Sequence, residues 1–118
     1  MKINILGGGI AGLASSIFLS KQGHEVTIVE RNDYINELGA GIQITPNAIR
    51  VLDALGIRND FINLAEQSTS LSIRRAENSA LLQKVSMHRL VKDTKVGFYY
   101  LHRHKLLNLL KDNAIKNK

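Results

Sequence analysis

Three glycines and one acid carry the first chemistry this sequence offers. Gly7, Gly9 and Gly12 stand in the pattern G-x-G-x-x-G within "INILGGGIAGLASS", and Glu30 closes the run "EVTIVE". The first glycine permits a tight turn, the second lets backbone approach a diphosphate, and the third lets a helix pack closely on a strand. Peptide N–H groups at the start of that helix face the phosphates, and the helix dipole favours negative charge there. Glu30 lies 18 residues past Gly12, placed to accept hydrogen bonds from ribose hydroxyls. The same carboxylate disfavours a 2′-phosphate, because like charges would meet. The pattern reads as a site for an adenine dinucleotide, NAD or FAD, and by itself does not choose between them.

These residues need a strand, a turn and a helix to hold them. Ile3 to Leu6 is a short apolar run, suited to a strand buried on both faces. Ile10, Leu13, Ala14, Ile17 and Phe18 then recur at helical spacing. Gly23 is placed to close that helix in the left-handed region. Val26 to Val29 is a second strand with Glu30 at its carboxyl end. Strand, helix and strand make a βαβ unit, whose crossover is right-handed in nearly all cases.

Further along, residues 31–44 lack clear periodicity and contain "GAGIQ". A helix follows with Thr45 as N-cap, Pro46 at its first position and Gly56 as its stop. Ala48, Val51, Leu52 and Leu55 form its expected buried stripe. Asn59 or Asp60 is expected to cap a short helix running to about Gln67. Leu71, Ile73 and Leu81 to Val85, around the turn-like "ENS", predict an antiparallel hairpin. "GFYYL" predicts another strand. Arg103, Leu106, Leu107, Leu110 and Ala114 trace a final helix. With no repeat, low-complexity tract or Pro/Gly linker, no domain boundary is expected within residues 1–118.

Composition narrows the function classes. A chain of 118 residues is at most one domain and buries roughly 65% of its unfolded surface. No run of about 18 apolar residues is present, so no membrane span is expected. The start "MKINILGG" does not read as a secretory signal. The absence of cysteine excludes disulfides and thiolate metal sites, and a cytoplasmic location is expected. The net charge of +6 is uneven: residues 84–118 carry nine Lys/Arg against two Asp/Glu. Those basic residues are spread singly among apolar ones, which reads as a solvated helix face rather than a nucleic-acid surface. His24 and His88 are isolated, and His102 and His104, two apart, would face away from each other on a helix. No metal site follows. Asp53 and Asp60 read as helix-surface or cap residues, Arg50 as solvated, and Tyr99 and Tyr100 as core and surface of a strand, so no catalytic residue is nominated.

"GAGIQITPNAIRVLDALG", together with "GGGIAG", "VER" and "LHRHKLLNLL", resembles the class A flavin monooxygenases, most closely the salicylate hydroxylase and 3-hydroxybenzoate 6-hydroxylase type. The similarity runs from Lys2 to about Ala114, with four motifs in the family's order and close to its spacing. The resemblance implies an α/β fold: a Rossmann-like FAD-binding βαβ unit with added helices, a small antiparallel hairpin and an incomplete sheet. It also implies that FAD is the dinucleotide. Gly7, Gly9, Ile10, Ala11, Gly12, Glu30 and Arg31 would then hold its diphosphate and adenosine ribose. Gly39, Ala40, Gly41, Ile42 and Gln43 would pass beside the flavin end, where glycines let backbone lie against a ligand. Arg103 would inherit the family's FAD-contacting arginine, while Lys105 replaces the family's usual Asp in that stretch.

Enzymes of this type reduce FAD with NADH or NADPH and hydroxylate a small aromatic substrate, usually a phenol. They also need later Asp-Gly and Gly-Asp segments and a substrate domain, which these 118 residues do not contain. The expectation is therefore the N-terminal part of an FAD-binding domain, truncated or split, that binds FAD weakly or not at all alone and is completed by a C-terminal chain. A non-catalytic remnant and a small NAD-binding module are the alternatives at this point.

Overall fold

A computed structural model describes residues 1–32, 40–94 and 96–116. The N-terminal unit is β1 (Lys2–Leu6), α1 (Ile10–Lys21) and β2 (Glu25–Val29), with β1 and β2 paired in parallel from Lys2↔Glu25 to Leu6↔Val29. The expected βαβ unit is present. Gly23 ends α1 at φ +81, its N–H donating to the Ser20 carbonyl while His24 N–H donates to that of Leu19. Only a residue without Cβ takes that turn at no cost.

Burial on both faces does not hold for this sheet. Ile3, Ile5, Val26 and Ile28 are half-buried toward the helices, but Leu6 is 84% and Val29 53% exposed. Parallel strands are normally covered on both sides. Here helices cover one.

β3 (Gly41–Ile44) follows, then α2 (Pro46–Ala54) and α3 (Arg58–Leu64). Thr45 is the N-cap residue of α2 and Pro46 its first residue, as expected, with Gly56 at φ +73 just beyond the end. Thr45 Oγ1 bonds the Asn47 side chain and makes no cap bond to the helix backbone. The buried stripe is rotated from the expected one: Ile49, Leu52 and Leu55 are buried, whereas Val51 is exposed. α3 begins earlier than expected, with Ile57 and not Asn59 or Asp60 at its N-cap, and stops at Leu64. Ile57 and Phe61 are anchored in the core, and that packing overrides the polar capping signal.

The segment expected to continue α3 to Gln67 is instead β4 (Glu66–Ser68). β3, β7 (Phe98–His102) and β4 form an antiparallel sheet in the order β3-β7-β4. "EQS" has no strand signal of its own; it is extended because β7 offers a free edge. The expected hairpin is β5 (Ser70–Arg74) with β6 (Leu81–Ser86), turning through Ser79 at φ 57. α4 (Met87–Thr94), not anticipated, follows β6, with Met87 N–H donating to the Thr69 carbonyl. Most residues of both hairpin strands are exposed.

α5 (Arg103–Lys116) completes the described chain and packs along α1. Leu106, Leu107 and Leu110 are buried, as their spacing requires, beside Leu13 and Ile17 of α1. Ile49, Leu52, Phe61, Tyr99 and Leu101 extend the same core, with the Phe61 and Tyr99 rings edge to face at 5.6 Å. Tyr99 faces inward and Tyr100 outward, the alternation a strand imposes.

Candidate functional site

The glycine turn is built as its spacing predicts. Gly7 N–H donates to the Val29 carbonyl at 2.8 Å, so the turn starts from within the β1–β2 ladder, and Gly7 then takes φ +106. Gly9 is the N-cap of α1, and Leu13 N–H returns to its carbonyl at 2.9 Å. The N–H groups of Ile10, Ala11 and Gly12 come before that first helical bond and have no carbonyl within the helix. No side chain caps this end, and its first turn holds no acidic residue. A Cβ on Gly9 would meet nothing within 4 Å, whereas one on Gly12 would stand 2.0 Å from the Gly7 carbonyl oxygen and 3.3 Å from Ile5. Gly9 keeps the mouth open. Gly12 lets α1 close on β1. Behind them Ser16, buried, satisfies its hydroxyl on the Leu13 carbonyl at 2.8 Å.

Glu30 lies at this mouth. Its Oε2 accepts Gly8 N–H at 2.6 Å, and its Oε1 accepts Asn32 N–H at 3.0 Å. These bonds, Asn32's first and Gly8's next, hold the carboxyl below the usual carboxylate range; partial desolvation opposes them, and the Arg31 amide and charge add to them. The acid is thus kept ionised and aimed, with lone pairs remaining for other donors. Arg31 is exposed beside it. Gly8 and Asn32 were not singled out from sequence. For Gly8 the signal was the unbroken "GGG": a Cβ there would sit 3.2 Å from the Glu30 Cβ.

A second cluster forms where α5 begins. Arg103 N–H donates to the Ala40 carbonyl at 2.9 Å, and Gly41 pairs with His102 and Gln43 with Tyr100 across β3 and β7. Ala40, Gly41, Ile42, Gln43 and Arg103, far apart in sequence, are therefore neighbours. Ile42 turns partly into the core, while Gly41 and Gln43 lie on the exposed face. Gly39 lies outside the described residues. A cavity of about 570 Å³ opens on this face, walled by Gly41, Gln43, Glu66, Tyr100, His102 and Lys105. The two histidines do not face apart: their rings stack at 5.5 Å. His102 ends a strand and His104 lies in the helix, so helical spacing does not apply to the pair. No group of three metal-ligating side chains occurs among the described residues.

An open helix mouth, a ribose-height acid and an open backbone segment form one architecture, and comparison with known proteins identifies it. The family profile described as "FAD binding domain" matches residues 1–116. The chain belongs to the FAD binding domain family. Within that family its relatives are class A aromatic monooxygenases, to whose N-terminal part it corresponds. The chain is 32% identical over 122 residues to the 3-amino-4-hydroxybenzoate 2-monooxygenase PtmB3 of Streptomyces platensis, an alignment covering 98% of this chain and 31% of that protein. Against the 3-hydroxybenzoate 6-hydroxylase of Klebsiella oxytoca it is 47% identical over 57 residues, 48% of this chain and 14% of that one. The solved structure of p-nitrophenol 4-monooxygenase PnpA from Pseudomonas putida superposes with a TM-score of 0.90 at 23% identity, over 97% of this chain and 29% of PnpA. This FAD-binding domain sequence thus spans less than a third of the length of each.

FAD is the family's cofactor, and the residues present fit it. The uncapped N–H groups of α1 suit a diphosphate, and the space over Gly9 admits it. Gly41, whose Cβ would also meet nothing within 4 Å, leaves room for a planar ring against backbone. Among the described residues, no helix of the FAD-binding domain is long and apolar enough to cross a membrane.

Proposed function

We propose that this chain is the FAD-binding portion of an NAD(P)H-dependent monooxygenase that hydroxylates a phenolic or other small aromatic molecule, and that it is inactive alone. The observation that carries the reading is the Glu30 carboxyl group bonded to Gly8 N–H at the mouth of α1. Bound FAD would supply the redox chemistry, taking electrons from NADH or NADPH and activating O₂. The chain's own work is binding and orientation.

In this reading the N–H groups of Ile10, Ala11 and Gly12 hold the diphosphate, with Gly7 and Gly9 shaping its approach. Glu30 takes the ribose hydroxyls beside Arg31. Gly39, Ala40, Gly41, Ile42 and Gln43 lie along the flavin end, and the Arg103 guanidinium supplies planar donors to phosphate or ribityl oxygens. Residues 1–118 act as one unit in the cytoplasm. No residue here is assigned to the hydroxylation step; substrate contacts belong to the polypeptide that its relatives carry in addition.

Titration of the chain with FAD and with NAD, followed by flavin fluorescence and by calorimetry, tests the proposal. FAD should bind weakly and more tightly than NAD, and Glu30→Ala should weaken it about tenfold or more, the scale of a lost charge-assisted bond. Preference for NAD, or stoichiometric flavin with NADH oxidation by the chain alone, would refute it.

A further inference from the structure

The exposed face of the β3-β7-β4 sheet carries groups that the diphosphate and ribose contacts leave unused. Gln43 pairs with Tyr100 across β3 and β7, and Glu66 pairs with Tyr100 across β4 and β7. Register partners share a face, so these three side chains stand in one row. Gly41 and His102 form the next row on the same side. The cavity of about 570 Å³ lies over both rows, with Lys105 of α5 in its wall, and its volume is that of a small-molecule site. The Tyr100 ring, 50% exposed, makes a flat platform between an amide and a carboxylate. Lys105 and Glu66 bring opposite charges to one cavity, and neither belongs to an ion pair among the described residues.

We propose that this cavity binds the nicotinamide mononucleotide half of the reductant. The inference rests on the proposed function, which calls for NADH or NADPH and assigns it no residue. Each group on the face has a counterpart in this ligand. The nicotinamide ring is flat and stacks on Tyr100. Its carboxamide has one acceptor and two N–H donors, which suits Gln43 on one side of the ring and the acceptor Glu66 on the other. Its phosphate suits the Lys105 ammonium and a His102 N–H. Position favours the same occupant. Gly41 and Gln43 belong to the segment proposed to run along the flavin end, and a Cβ on Gly41 would meet nothing within 4 Å, so this wall is open backbone. A ligand that must meet the flavin ring thus has its binding groups on the adjoining strand and helix. NADH and NADPH share this half and differ at the adenosine ribose, so the cavity takes both.

The test is titration of the 118-residue chain with reduced nicotinamide mononucleotide, which has no adenosine to place at Glu30. Binding is read by its fluorescence anisotropy and by the NMR signals of the Tyr100 ring and the His102 imidazole. Both signals should shift along one saturation curve, and NADH and NADPH should shift them with affinities within about threefold of each other. Lys105→Met and Tyr100→Ala should each weaken binding about fivefold or more, and Tyr100→Phe should retain it, with circular dichroism unchanged in Lys105→Met and Tyr100→Phe. Adenosine monophosphate, which has the ribose and phosphate without the nicotinamide, should leave both signals in place. Signals that stay unmoved by the reduced mononucleotide overturn the proposal. So does an equal shift with adenosine monophosphate, which would make the cavity a phosphate site. A shift at lower concentration with 3-hydroxybenzoate would make it a site for the aromatic substrate and overturn it as well. No flavin enters the measurement. Its failure leaves the FAD titration standing, and failure of that titration leaves this result readable.

Discussion

Gly8 N–H donates to Oε2 of Glu30 across 2.6 Å, joining the middle of the glycine turn to the acid that closes the next strand, 22 residues on. One bond thereby sets the height of the carboxylate over the mouth of α1. The bond is stronger to the ionised acid than to the protonated one, which gives it a pH signature.

Glu30→Gln should remove a stabilising contribution present at neutral pH. Glu30 has a lowered folded-state pKa, so its contribution is complete above the ordinary carboxylate pKa of the unfolded chain, about 4.3. It is lost as pH falls through the lower folded value. Urea midpoints of wild type and Glu30→Gln should therefore differ at pH 7 and converge under acid conditions. A gap that stays constant down to pH 2 would contradict the assignment.

Gly12 and Gly9 should respond oppositely to the same methyl group. Gly12→Ala forces a Cβ to within 2.0 Å of the Gly7 carbonyl and should cost about 3 kcal/mol. Gly9 has φ −75 and open space around it, so Gly9→Ala should cost no more than about 1 kcal/mol, the loss of a favoured N-cap residue. Gly9→Val, equally tolerated by the fold, should weaken FAD binding. Denaturant unfolding and flavin fluorescence read the two effects separately.

Gly56 and Lys21 should be coupled. Lys21 Nζ donates to the Leu55 carbonyl at the end of α2, where a cation also suits the helix dipole. A Cβ on Gly56 would lie 2.9 Å from that nitrogen, at a φ of +73. Gly56→Ala should cost about 2 kcal/mol, and less in a Lys21→Met background. About 1 kcal/mol should persist there, because the left-handed backbone disfavours any Cβ. A double-mutant cycle showing no coupling would remove Lys21 from this role.

Phe61→Ala should be the most damaging of these changes. The ring is fully buried against Tyr99, and its loss should cost about 4 kcal/mol. A chain of this size has little stability to spare, so the variant should show a largely lost thermal transition by circular dichroism. A cooperative unfolding transition near that of wild type would show that the core does not depend on this contact.

Sequence alone determined the parts whose causes are local. The glycine turn, the acid at the end of β2, the helix from Pro46 and the hairpin around "ENS" each rest on spacing, φ preference or period-two alternation within a few residues. The family's motifs lay in the same local stretches, so the FAD reading was available there too. Tertiary structure decided what depends on distant partners. "EQS" is a strand because β7 presents an edge, and α3 starts at Arg58 because Ile57 and Phe61 anchor it in the core. His102 and His104 stack because a strand ends and a helix starts between them. Gly41 and Arg103 are neighbours through the pairing of β3 with β7, and β1 and β2 are bare on one face because the described chain supplies helices to the other alone. Local preferences are written residue by residue, whereas strand pairing and burial are properties of surfaces that exist once the chain has folded.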